Sequence, residues 1–184
     1  MAGRLSRMSK ALPKGGGALS VCKVTNARLH AGQLQSKLER TLAAETTKQR
    51  SQITGNAGLN YAAWQLSRRG WHVMPTIRNA RGSDLIVVND DETVFFGVQS
   101  KALSKRGAVG LGKSLETLRS EWWIITVNAN ADAPSCYILS INDVRRIASR
   151  DKGGDQSYWL ERRDYENEEF REAWGRITGR IDAQ

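Results

Sequence analysis

From Asp84 to Ala102 the chain reads DLIVV, NDDE, TVFFGVQSKA: two runs rich in β-branched and aromatic residues around a turn signal. Branched and aromatic side chains suit a pleated, half-buried surface, and Asn and Asp suit turns, so the segment is expected to form a β-hairpin. A hairpin fixes which residues can meet. Side chains on a strand alternate, which puts Phe95, Gly97, Gln99 and Lys101 on one face and Val94, Phe96, Val98 and Ser100 on the other. With the turn centred on Asp90 and Asp91, paired residue numbers sum to about 181, so Asp84 is expected opposite Gly97 and diagonal to Gln99, within roughly 7–8 Å. Asp84, Gln99 and Lys101 then converge at one end of the ribbon, with room left at Gly97 for a metal or a phosphate.

The surroundings extend the hairpin into a domain. In GLNYAAWQLSRRG, Leu59, Ala62, Ala63 and Leu66 recur at i, i+3, i+4 and i+7, the stripe of a helix packed on one side, and Gly70 supplies its stop. WHVM at 71 to 74 reads as a strand, as do WWIITVN, CYILS and SYWL further on. SLETLRS is expected to be a short helix. Ser140 with Asp143 has the spacing of a capping box opening a helix over INDVRRIAS, and Phe170, Ala173, Trp174 and Ile177 repeat the helical interval near the end. The expected class is α/β, a mixed central sheet flanked by helices. A chain of 184 residues suits one core.

Charge divides the chain unevenly. Residues 1–50 hold ten Lys and Arg against two Glu, giving +8, and residues 51–184 hold eighteen against seventeen, giving +1. Residues 1–52 are therefore read as a basic arm, disordered up to about Val24 and loosely helical after it, and residues 53–184 as the domain. Such an arm either neutralises nucleic-acid phosphates or is simply a solvated tail. No apolar run has the roughly 18 residues a membrane helix needs, and the two cysteines lie in unlike contexts, which fits a reducing cytoplasm.

A carboxylate and an amide oxygen are hard ligands suited to Mg²⁺, or Mn²⁺, which keeps several waters and accepts phosphate oxygens. A lysine beside them can hold a water or stabilise charge on the phosphorus. GSD at Gly82 to Asp84 followed by VQSK at Val98 to Lys101 resembles the PD-(D/E)XK nuclease superfamily, with its restriction-endonuclease-like sheet; the likeness covers about residues 55 to 150. The resemblance implies a Mg²⁺-dependent DNA endonuclease with Asp84 and Gln99 as metal ligands, the Ser100 carbonyl as a further one, and Lys101 as the catalytic lysine. Double-strand cutting would then call for a homodimer, since one site cuts one strand. Two positions depart from the family pattern. Glutamine stands at 99 in place of the commoner glutamate, and Leu59, near Asn56 and Asn60, stands where the opening helix often carries a glutamate. A single carboxylate implies weak metal binding, and an inactive, nucleic-acid- or protein-binding member of the fold is the alternative.

Other patterns compete. Gly107 to Ser114, GAVGLGKS, fits the phosphate loop G-x-x-x-x-G-K-[ST], but LSKR separates it from the preceding apolar run, where a phosphate loop follows its strand directly. Lys105, Arg106 and Lys113 of this segment are candidate contacts to DNA phosphates, or solvated loop charges. Asp84 could equally cap a turn, and Gln99 and Lys101 could mark a solvated edge strand. His30 and His72 are too few for a His-based site. Of Trp122 and Trp123, one is expected inside and one outside, while Trp64, Trp71, Trp159 and Trp174 suit core packing.

Overall fold

In the computed structural model, residues 18–77, 82–151, 153 and 156–179 are described, with side chains from residue 34 onward. Much of the stretch expected to be disordered, residues 1–17, lies outside them. The chain forms two compact units, Met1–Thr47 and Lys48–Gln184, and the boundary falls inside one long helix, α1 (Ala18–Ser67). The backbone is already helical at Ala18, within the stretch expected to lack structure.

In the first unit every side chain from Leu34 to Thr47 is exposed, including Leu34, Leu38 and Leu42. In the second unit α1 becomes amphipathic from Thr54 on. Ala62 and Leu66 are fully buried, with Leu59 and Ala63 packed partly against the same cluster, which is the stripe the spacing predicts. Gly58 permits the contact: a Cβ there would lie 2.4 Å from the Ala102 Cβ. The helix stops at Gly70, whose φ of +88° an L side chain rarely adopts.

The main sheet has five strands, β1 (His72–Pro75), β2 (Leu85–Val88), β3 (Phe95–Leu103), β5 (Trp122–Val127) and β6 (Ser135–Ser140), in the order β1-β2-β3-β5-β6. Only β3 and β5 run parallel, so the sheet is mixed, as expected. Between them the chain makes β4 (Val109–Gly112). It forms a second, antiparallel sheet with β7 (Ser149–Arg150) and β8 (Tyr158–Leu160). SLETLRS is not a helix. It is a single turn at Glu116 and Thr117, with Leu118 N bonded to Leu115 O and Thr117 Oγ1 to Ser114 O, and Leu115 and Leu118 tucked against the core.

Two cores cover the two faces of the main sheet. Ala62, Leu66, Leu85, Phe96, Val98, Trp122 and Ile124 belong to one, and Leu111, Trp123, Ile125, Leu139, Leu160, Tyr165 and Phe170 to the other. All six residues of β5 are buried, so Trp122 and Trp123 both point into apolar surroundings and neither is available as a contact surface. An alternating strand exposes one face only when that face is bare. Trp64, expected in the core, is 53% exposed beneath the Arg68 guanidinium.

The end of the chain also departs from expectation. After a one-turn helix α3 (Arg162–Tyr165), residues 170–172 run along the outer edge of β6, with Ile138 N bonded to Phe170 O and Glu172 N to Cys136 O, each at 2.8 Å. Glu172 at φ 49° breaks any helix, and a single 3-10 turn (Trp174–Arg176) follows. Phe170 enters one core while Trp174 and Ile177 enter the other. The interval read as a helix stripe thus belongs to a segment wrapping a sheet edge.

Helix α2 (Ile141–Ile147) opens with the expected capping box, Ser140 to Asp143. Burial alone would push the Asp143 carboxyl up. The Ser140 hydroxyl and amide, with Arg146 and Arg176 at 3.0 and 2.8 Å, outweigh it and hold the group below the usual carboxylate range. A depressed folded value means a contribution complete above the ordinary value of 3.8 and lost as pH falls through the folded one. Urea melts at pH 6 and pH 3 are expected to show a smaller acid loss for Asp143→Asn than for the wild type.

Candidate active site

The hairpin pairs Leu85 with Val98, Ile86 with Gly97 and Val88 with Phe95. The register sum is therefore 183 (85 + 98), two more than a turn at Asp90–Asp91 implies. The turn is longer than expected: Asn89 N bonds Val94 O, and Glu92 takes the left-handed φ of 55° at its tip. The ladder ends at Leu85 and Val98, and Asp84, just before it with its N–H bonded to Val98 O at 2.9 Å, meets the Gln99 side chain directly.

Asp84 Oδ2 accepts a short hydrogen bond from Gln99 Nε2 and another, 2.9 Å, from the Ser100 backbone N–H. The backbone beneath is tied to the end of β1: Thr76 N bonds Asp84 O at 2.9 Å, and Thr76 Oγ1 bonds Ser83 O at 2.8 Å. With Oδ2 so occupied, Asp84 Oδ1 and Gln99 Oε1 have no protein partner among the described residues. Lys101 lies two residues on, on the same face of β3 as Gln99, with its ammonium 5.8 Å from the centroid of the Trp123 ring. Trp123 is the register partner of Gln99, and its own Nε1 is bonded to Ser120 O.

The space expected at Gly97 is filled. A Cβ there would lie 1.9 Å from Ser83 Oγ, which reaches across to Ser120 Oγ at 2.9 Å. Glu121 accepts the Gly97 N–H at 2.8 Å. Gly97 is needed for packing of the Ser83 loop and leaves no opening for a ligand.

The opening lies on the other side of Asp84. A cleft of about 580 Å³ is walled by Gln52, Asn56 and Leu59 of α1 and by Thr76 and Ile77 after β1, with Asp84 and Ser100 also lining it. Gln52, Thr76 and Ile77 were not singled out in the sequence; no motif marks them, and only the docking of α1 on the sheet brings them together. Among the described residues, no three His, Cys, Asp or Glu side chains cluster as a metal site.

The outlying cations are dispersed. Lys105 and Arg106 are exposed in the turn after β3, and Arg106 pairs with Glu166 at 3.8 Å, which also holds Arg162 at 2.9 Å. Lys113 is exposed just past β4. The GAVGLGKS segment is not a phosphate loop: Val109 to Gly112 form a strand antiparallel to β8, Gly110 lies against the Trp159 ring, and no helix follows Ser114.

The molecule is thus an α/β domain with a mixed sheet, an Asp84–Gln99 pair whose carboxylate lines a cleft, and Lys101 two residues past Gln99 over the Trp123 ring. No family model matches the chain, and no curated protein does. Among solved structures it is similar to a bacterial homing endonuclease, at 18% identity and a TM-score of 0.45, over 68% of this chain and 89% of that one. It is also similar to a Holliday junction resolvase of Archaeoglobus fulgidus, at 10% identity and a TM-score of 0.44, over 60% of this chain and 86% of that one. None of the described helices is long and apolar enough to cross a membrane.

Proposed function

We propose that the protein is a Mg²⁺- or Mn²⁺-dependent endodeoxyribonuclease whose site is Asp84, Gln99 and Lys101. The observation that carries this reading is the direct pairing of Asp84 with the Gln99 amide and the Ser100 N–H, with Asp84 and Ser100 lining an open cleft and Lys101 two residues past Gln99 on β3. The donor set fits a magnesium ion: Asp84 Oδ1, Gln99 Oε1 and the Ser100 carbonyl are all hard oxygens, and one negative charge leaves most of the shell to water. Bound there, the ion would polarise a phosphate oxygen and lower the pKa of a water. Gln99 and the Ser100 amide orient the carboxylate, and Lys101 supplies a positive charge for the phosphorane. Residues 53–184 form the catalytic domain and residues 1–52 a basic arm that adds salt-sensitive affinity for DNA. Lys105, Arg106 and Lys113 add phosphate contacts, and a homodimer would bring one site to each strand. The free, buried Cys136 suits a reducing cytoplasm.

Supercoiled plasmid incubated with the protein and Mg²⁺ or Mn²⁺ is expected to be nicked, with the activity abolished by chelation and by Asp84→Ala. Intact plasmid in both metals ends the reading. The carboxamides on the helix wall favour a second reading, a protein that binds DNA with little cutting, because Gln52 and Asn56 stand where acids would strengthen the site. Asn56→Glu is therefore expected to tighten Mn²⁺ binding by roughly tenfold, since affinity follows the charge of the ligand set. Titration calorimetry reads the change directly, and unaltered affinity would remove Asn56 from the neighbourhood of the metal.

A further inference from the structure

Among the described residues, the cleft beside Asp84 offers no cation to a phosphate. A phosphate is held by cations and by N–H donors. Asp84, an acid, is the only charged residue among the described residues lining the cleft. The rest is uncharged: the carboxamides of Gln52 and Asn56 on α1, the aliphatic Leu59 one turn further and Ile77 on the facing wall, and Gly55, Thr76 and Ser100 between them. Ile77 is 84% exposed, the most exposed large apolar side chain among the described residues, and it stands in the wall of a cleft instead of a core.

We infer, on the strength of the nuclease reading, that this cleft takes one unpaired nucleobase of the strand being cut. Carboxamides present a donor and an acceptor together, the pattern that matches base edges, and aliphatic side chains cover base faces. A cavity of about 580 Å³ has an edge of about 8 Å if drawn as a cube, too narrow for a duplex whose major groove alone is about 12 Å wide. A stacked base pair stays outside, and a single extruded base enters. With Asp84 in the same wall, the phosphate next to that base is the one presented to its carboxylate. The preferred substrate class is therefore DNA with an unstacked nucleotide at the scissile step, such as a bulge, a flap or a branch point, because extrusion costs least there.

The test uses the full chain with Mg²⁺ and three oligonucleotides: a perfect duplex, the same duplex with one bulged nucleotide, and the same bulge carrying an abasic sugar. Rates are followed by strand cleavage and affinities by fluorescence anisotropy, so a protein that binds without cutting is still read. The bulge is expected to exceed the duplex by about tenfold, equivalent to about 1.4 kcal/mol, in rate or affinity. The abasic bulge, equally flexible but lacking the base, is expected to fall back to the duplex value, and Ile77→Ser to shrink the bulge preference toward unity. Equal handling of the three substrates, with cleavage still lost in Lys101→Ala, overturns the base-binding cleft and leaves the nuclease standing. A bulge preference that survives in the abasic substrate also overturns it. Absence of both binding and cleavage with all three overturns both.

Discussion

Lys101→Ala is expected to lower plasmid cleavage by about 10²–10⁴-fold, the range typical of a positioned proton-transfer or charge-stabilising group. The side chain emerges from β3 two residues after Gln99, and its ammonium lies over the face of a tryptophan that is itself 3% exposed and hydrogen-bonded through its indole N–H. That ring limits where the ammonium can go. The stabilising part of the contact is small, about 0.5–1 kcal/mol for a cation over a ring at a partly exposed site. Activity should therefore collapse while the melting temperature stays within a few degrees. Lys101→Arg keeps the charge but spreads it over a planar fork, and is expected to recover only part of the rate. A variant at 101 that cuts like the wild type would remove lysine from the chemistry.

The largest effect on stability is expected from Phe170→Ala, at about 3–5 kcal/mol, the range for deleting a buried aromatic ring. Phe170 is fully buried in the core opposite α1, and its carbonyl accepts from Ile138 N on the edge of β6. For a chain of this size each kcal/mol moves the midpoint by roughly 2–4 °C, so the loss should be plain in a thermal scan and in urea titration. If 170–177 were instead a surface helix with one apolar stripe, the substitution would cost far less, and Ala173→Pro would be as damaging. A loss under about 1 kcal/mol would contradict the edge-wrapping path.

These two positions also mark what could be read from the chain alone. β2 and β3, the α1 stripe and the α2 capping box were legible, because each depends on neighbours within a few residues. The pairing of Asp84 with Gln99 was nearly legible: alternation gave the shared face, but the register slipped by two because a turn closed by Asn89 and Val94 looks the same in sequence as one centred on Asp90 and Asp91. What failed depended on distant partners. Trp122 and Trp123 alternate correctly, yet nothing local announces that β4, β8 and α3 come back to cover the second face. Phe170, Trp174 and Ile177 are spaced for a helix, but they serve two cores on opposite sides of a sheet edge. The cleft was invisible for the same reason, since its walls come from α1, the end of β1 and the start of the hairpin, far apart in the chain.

Gly58 gives the cleft its dimensions. With no methyl group there, α1 settles onto Ala102, and Thr126 lies next nearest, at 3.3 Å from where that methyl would be. Even alanine at 58 would force the helix outward and carry Gln52, Asn56 and Leu59 away from Asp84, a lateral shift felt across the whole aperture. The width of the cleft is thus adjustable from underneath the helix, by one hydrogen exchanged for carbon at a position that does not line it.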